Sequence, residues 1–226
     1  MSLWTRISDA LAALTAGEGL TAVFDRLRSP PERSVAFAIA VIALGAKMAK
    51  ADGQVTRDEV TAFRDVFHIA AQDEAGAARV FNLARQDVAG FEEYATRIHS
   101  MFSDQPETLT DLIEGLFHIA MADGFYHPNE DAFLEQVAHI FAIPDVEFRA
   151  LRARFVPEAV PDPYTVLGIT PDMDIEAMRK AWRKLVRENH PDAMMARGVP
   201  EEAVRLAEKR MIDINRAWED IRSAHA

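Results

Sequence analysis

Apolar residues in this chain recur three and four positions apart from end to end, and that spacing leaves few folds open. Val60, Phe63, Val66, Phe67 and Ala70 share one face of a helix, as do Leu109, Leu112, Ile113, Leu116 and Phe117. The alternating stretches bounded by turn dipeptides that mark strands and hairpins are missing. An all-α protein follows. Helices are expected over 3–15, 20–28, 32–51, 56–70, 74–86, 90–102, 107–122, 128–141, 145–153, 164–168, 174–189 and 200–224.

One segment interrupts the pattern. Pro157, Pro161 and Pro163 fall within seven positions, and fixed φ with no backbone N–H prevents a helix from running through them. This stretch divides the 226 residues into a larger and a smaller part. Charge divides there too: residues 1–161 carry 14 basic and 24 acidic side chains, residues 162–226 carry 11 and 12. The expected organisation is an amphipathic helical segment at 1–31, a helical domain at 32–155, a linker at 156–162 and a second domain at 163–226.

Composition excludes several classes of function. With no cysteine there is no disulfide scaffold, cysteine-bound zinc, iron–sulfur cluster or thiol catalysis, and a reducing compartment fits. A formal net charge of -11 opposes nucleic-acid binding by the whole protein. The most apolar run, Val35 to Ala46, stops after twelve residues, short of the roughly 20 that a spanning helix needs, and is expected to be a core helix. Asp9 and Glu18 exclude a secretory signal at the N-terminus. Leu3, Ile7, Ala10, Leu11 and Leu14 share a helical face there, which is expected to dock on the body of the protein, with contact to a membrane surface as the alternative.

The larger part contains a repeat. A shift of 71 positions lays Ala51-Asp52-Gly53 on Ala122-Asp123-Gly124, Glu59 on Glu130, Phe63 on Leu134, Val66 on Val137 and His68-Ile69 on His139-Ile140. Each copy reads as a long apolar helix, a glycine in the positive-φ position that ends it, and a second helix with acids in its first turn. Two such hairpins would pack as a bundle. This duplication resembles the TerB family, an all-helical domain named after tellurite resistance, over roughly residues 32–155. The resemblance implies that Asp52, Glu59, Asp123 and Glu130 would line an acidic site suited to a hard divalent cation. Helix-end electrostatics accounts for the same four positions without an ion and is the preferred reading, so no metal or cofactor is expected. His68, His118, His127 and His139 are read as core or boundary residues, because no HExxH pair or nucleophile elbow accompanies them.

The last sixty-five residues are the most informative. Pro163-Tyr164-Thr165-Val166-Leu167-Gly168-Ile169 precedes a helix whose Ile175, Met178, Trp182, Leu185 and Val186 line one side. Arg179, Lys180, Arg183, Lys184 and Arg187 lie largely on the other. His190-Pro191-Asp192 follows directly, and proline there halts the helix and presents its neighbours at an exposed tip. After a loop over Ala193–Val199, Val204, Ala207, Met211, Ile214, Ala217, Trp218 and Ile221 keep helical spacing and supply the facing side of a hairpin.

This arrangement is similar to a J-domain, the module of DnaJ-type co-chaperones. Joined to a TerB-like bundle, it resembles the membrane-anchored DnaJ-like proteins of the DjlA type. The resemblance implies a co-chaperone, not itself an enzyme, whose five cations steer it onto an acidic surface of a DnaK-type heat-shock chaperone. His190, Pro191 and Asp192 would then touch that partner and speed its ATP hydrolysis, with the bundle selecting client or location. Ala193 replaces a common lysine, and Trp182 and Trp218 stand where tyrosine is frequent. The membrane-spanning N-terminus of that type finds no counterpart in the pattern, so a cytoplasmic form is expected. A homodimer and a metal-binding or stress-response scaffold acting through the acidic bundle stay open, and a hydrolase built on His118 and His127 is disfavoured for want of a nucleophile.

Overall fold

The computed structural model describes residues 3–12, 20, 23, 33–52, 74–86, 90–122, 124–156 and 162–225. Among them there is no strand. The order is α1 (Leu3–Ala12), α2 (Arg33–Asp52), α3 (Glu74–Gln86), α4 (Phe91–Phe102), α5 (Pro106–Ala120), α6 (Pro128–Ile140), α7 (Asp145–Phe155), α8 (Pro163–Val166), α9 (Ile175–Glu188), α10 (Pro191–Ala196), a 3-10 turn (Glu201–Ala203) and α11 (Val204–Ala224). The helix expected over 56–70, most of that over 20–28, residues 157–161 of the linker, and Glu59, His68 and Asp123 lie outside the described residues.

The apolar run at 35–46 becomes the axis of the bundle. Every residue from Val35 to Leu44 is buried within α2, and α1, α3, α4, α5 and α6 pack around it. A helix that is apolar all round needs such a sleeve. Its buried Lys47 lays its ammonium over the Tyr94 ring at 4.9 Å. The N-terminal helix docks as its pattern predicts, burying Leu3, Ile7 and Leu11 against α3 and α2.

The second repeat unit is a helix, a turn and a helix. α5 ends at Ala120, Gly124 takes φ +84, and α6 begins at Pro128. Phe133, Leu134 and Val137 face the core. Asp131 ties α6 to α7 and to the turn, accepting from Arg152 Nε and from the Tyr126 hydroxyl, both at 2.9 Å. Burial and that carboxylate push the Tyr126 hydroxyl well above the ordinary phenol range.

The C-terminal hairpin differs from the expected one in two respects. Residues after Asp192 were expected to form a loop, but they continue as α10, with Pro191 as the first helical residue. Proline that ends one helix is also suited to open the next. Nor is Ala207 part of the hairpin core. That core comprises Val166, Leu167, Met178, Ile214, Ala217, Trp218 and Ile221, whereas Met194, Val199, Ala203 and Ala207 belong to the bundle core. α11 therefore spans both. Gly198 marks a close approach of the two parts, since at φ +93 an added Cβ would sit 3.0 Å from the Arg33 Cβ.

Candidate functional site

α9 is built to hold one face and display the other. Asp174 caps it, accepting from the Ala177 N–H at 2.8 Å. On the packed side Met178 is buried, and Trp182 stacks on Trp218 with ring centroids 5.3 Å apart and planes 12° apart. The Trp182 Nε1 donates to Asn215 Oδ1 at 3.1 Å. Arg179, Lys180, Arg183 and Arg187 line one shallow recess together with Glu176, Trp182 and Val186. Lys184 lies apart from these four, in the cleft between hairpin and bundle, and pairs with Glu188 at 3.7 Å. Arg179 pairs with Glu176 at 2.9 Å.

The tip follows at once. His190 is the N-cap of α10, its Nδ1 accepting from the Asp192 N–H at 3.2 Å. A neutral ring that accepts at Nδ1 carries its proton on Nε2. The His190 and Asp192 side chains are 53% and 82% exposed. A local cap thus orients the imidazole while leaving it open to solvent.

Sequence reasoning missed the side chains that brace this tip. Arg197 Nη1 donates to the carbonyl of Glu188, the last residue of α9, at 2.8 Å, and its Nη2 donates to Asp111 at 3.0 Å. Arg210 Nη1 donates to Asp111 at 2.8 Å and to the Asn189 side-chain oxygen, and its guanidinium pairs with Glu114. Asp111 is fully buried, and Glu114 and Arg210 nearly so. Two acids one turn apart within the apolar α5 pattern were the available signal.

Of the four acidic repeat positions, only the Glu130 side chain is among the described residues. The Glu130 carboxylate turns back to accept from the His127 N–H at 2.9 Å, a helix-end role. The Asp52 side chain, Glu59 and Asp123 are outside the described residues, among which no cluster of three or more metal-ligating side chains occurs. His118 is largely buried, edge-on to Phe155 with centroids 4.8 Å apart; His139 instead faces solvent.

Comparison with known proteins agrees with this geometry. Residues 38–153, just over half of the chain, match the family described as tellurite resistance protein TerB, and residues 162–225 match the DnaJ domain. The chain is 24% identical to the co-chaperone protein DjlA of Vibrio parahaemolyticus over 89% of its own length and 82% of the relative's. Against the co-chaperone protein DjlA of Photobacterium profundum the identity is 25%, over 84% and 78%. Against that of Escherichia coli strain K12 it is 24%, over 98% of both. No solved structure matches.

These relatives correct the expectation of a cytoplasmic form. That expectation takes the spanning N-terminus of the DjlA type to be without counterpart, yet the similarity extends over 98% of the Escherichia coli DjlA. No described helix is long and apolar enough to cross a membrane. The buried bundle, the hairpin with its capped His190-Pro191-Asp192 tip, and the two family matches in that order make this chain a J-domain co-chaperone of the TerB-containing, DjlA-type DnaJ-like family.

Proposed function

We propose that this chain recruits a DnaK-type heat-shock chaperone and stimulates its ATPase, with the TerB-like domain at about 32–155 as the client or targeting module. The observation that carries the reading is the solvent-facing His190 and Asp192 tip placed directly after the cationic face of α9. Clustered Arg179, Lys180, Arg183 and Arg187 would steer the hairpin toward an acidic partner and make encounter salt-sensitive. Lys184, set apart beside Glu188, would contribute to the general field more than to contact. His190, Pro191 and Asp192 would then act on the partner, so the chemistry belongs to the partner's nucleotide site and this chain supplies no reaction of its own.

The test is steady-state ATP hydrolysis by a DnaK-type chaperone with and without the full chain. Stimulation is expected with the parent protein and none with His190→Gln. Raising salt should increase the concentration needed for half-maximal stimulation, because exposed cations are screened beyond a Debye length of about 10 Å at 0.1 M. Equal stimulation by parent and His190→Gln would refute the proposal.

A further inference from the structure

We infer that Asp111 and Arg210 are positioning residues for the His190 tip: the bundle orients it through an ionic clamp that ends on Asn189, the residue before His190. The inference rests on the proposed function in treating that tip as the activating element.

The geometry is specific. Asp111 belongs to α5 of the bundle, whereas both of its guanidinium partners, Arg197 and Arg210, come from the hairpin. Those same two guanidiniums bond the last residues before the tip, Arg197 the Glu188 carbonyl and Arg210 the Asn189 side chain. Asn189 is the C-cap of α9, and its Nδ2 donates back to the Leu185 carbonyl at 2.7 Å. Where the chain leaves α9 is thereby fixed from three directions. On the far side of the tip, Met194 of α10 is fully buried in the bundle core. His190 and Asp192 sit between two anchored ends.

Charge burial makes this joint directional. A fully buried carboxylate is tolerated when hydrogen-bonded cations surround it, and losing one partner leaves the others uncompensated. Asp111 therefore needs the docked hairpin, and the docked hairpin needs Asp111. Docking does not cover the tip, because the His190 and Asp192 side chains and the cationic recess stay accessible. The clamp orients the tip without masking it.

Two measurements test this, both on the full chain. In ATPase titrations with a DnaK-type chaperone, Asp111→Asn and the milder Asn189→Ala should lower maximal stimulation by roughly three-fold or more, with the half-maximal concentration unchanged within about two-fold. A merely destabilised protein would instead recover its full maximum at saturating concentration. Asn189→Ala removes the last link without stranding a buried charge, so it reads out even where Asp111→Asn unfolds. Unchanged or raised maxima in both variants would overturn the inference while leaving the His190→Gln result, and with it the proposed function, intact.

The second measurement needs no partner. Because the chain has no cysteine, spin labels at Glu135→Cys on α6 and Ala196→Cys on α10, both exposed, report bundle-to-tip distance directly. The parent should give a narrow distribution that broadens with Arg210→Gln or Asp111→Asn. Equal widths in parent and variants would overturn the inference whatever the ATPase assay reads.

Discussion

Replacing His118 should change how the stability of this protein responds to acid. The ring lies at the C-terminal end of α5, edge-on to Phe155, and its Nε2 has no hydrogen-bond partner among the described residues. Burial first, and the nearby Lys209 charge second, push its pKa down from 6.5 to about 3. Lys209 is held there, its ammonium 5.2 Å from the Phe155 ring centroid. An unfolded histidine takes up a proton as the pH falls through about 6.5, whereas the folded ring refuses it. The unfolded state thus binds more protons between those two values, and folding stability falls as the medium becomes more acidic. At about 1.4 kcal/mol per unit, lowering the pH from about 7.5 to 5 costs this site about 2 kcal/mol. Urea unfolding at both values, for the parent and for His118→Leu, isolates the effect, because the carboxylates are common to both and cancel. The leucine variant should be at least as stable near neutrality, having lost an unpartnered buried nitrogen, and should keep about 2 kcal/mol more of its stability at pH 5. Equal losses in the two proteins would refute the assignment of a buried, neutral ring.

Two further changes probe the frame around the site. Trp182→Ala removes both the stack on Trp218 and the bond to Asn215; with Trp182 half-buried, a loss of about 2–3 kcal/mol is expected in denaturant unfolding followed by helix circular dichroism, and Asn215→Ala should cost only about 1 kcal/mol. Gly124→Ala forces a side chain into φ +84 where an added Cβ would meet nothing within 4 Å, so thermal melting should show the backbone cost alone, about 1–2 kcal/mol, with Gly124→Asn losing less.

Helix periodicity carried most of the architecture because it reports directly on burial. The α3 pattern placed its helix at the observed residues, and the spacing of Leu3, Ile7 and Leu11 identified the face that docks. α10 is not legible from the pattern because a proline after a helix reads as a terminator, although its fixed φ fits the first position of a new helix equally well. Ala207 departs from its expected partner for a different reason. Regular spacing from Val204 to Ile221 shows that one face of α11 is covered, but periodicity carries no information on which element covers each turn, and here the cover changes from bundle to hairpin midway.

The clamp is legible in the sequence only in part. Arg197 and Arg210 lie 86 and 99 residues from Asp111, and no local pattern links positions so far apart. What the sequence does contain is half of the pair. Leu109, Leu112, Ile113, Leu116, Phe117, Ile119 and Ala120 cover more than one face of α5, so that helix has too little polar surface to lie against solvent. An acid between those residues must be interior, and an interior acid demands a cation. Asp111 and Glu114 could therefore be read as buried and paired before any partner was known. The C-terminal part, where the cations are relatively concentrated, 11 of 25 in under a third of the chain, supplies Arg197 and Arg210. Charge placement of this kind says that the two parts are made to meet. It follows that the hairpin's activity should be judged in the full chain, where Asp111 is present to complete it.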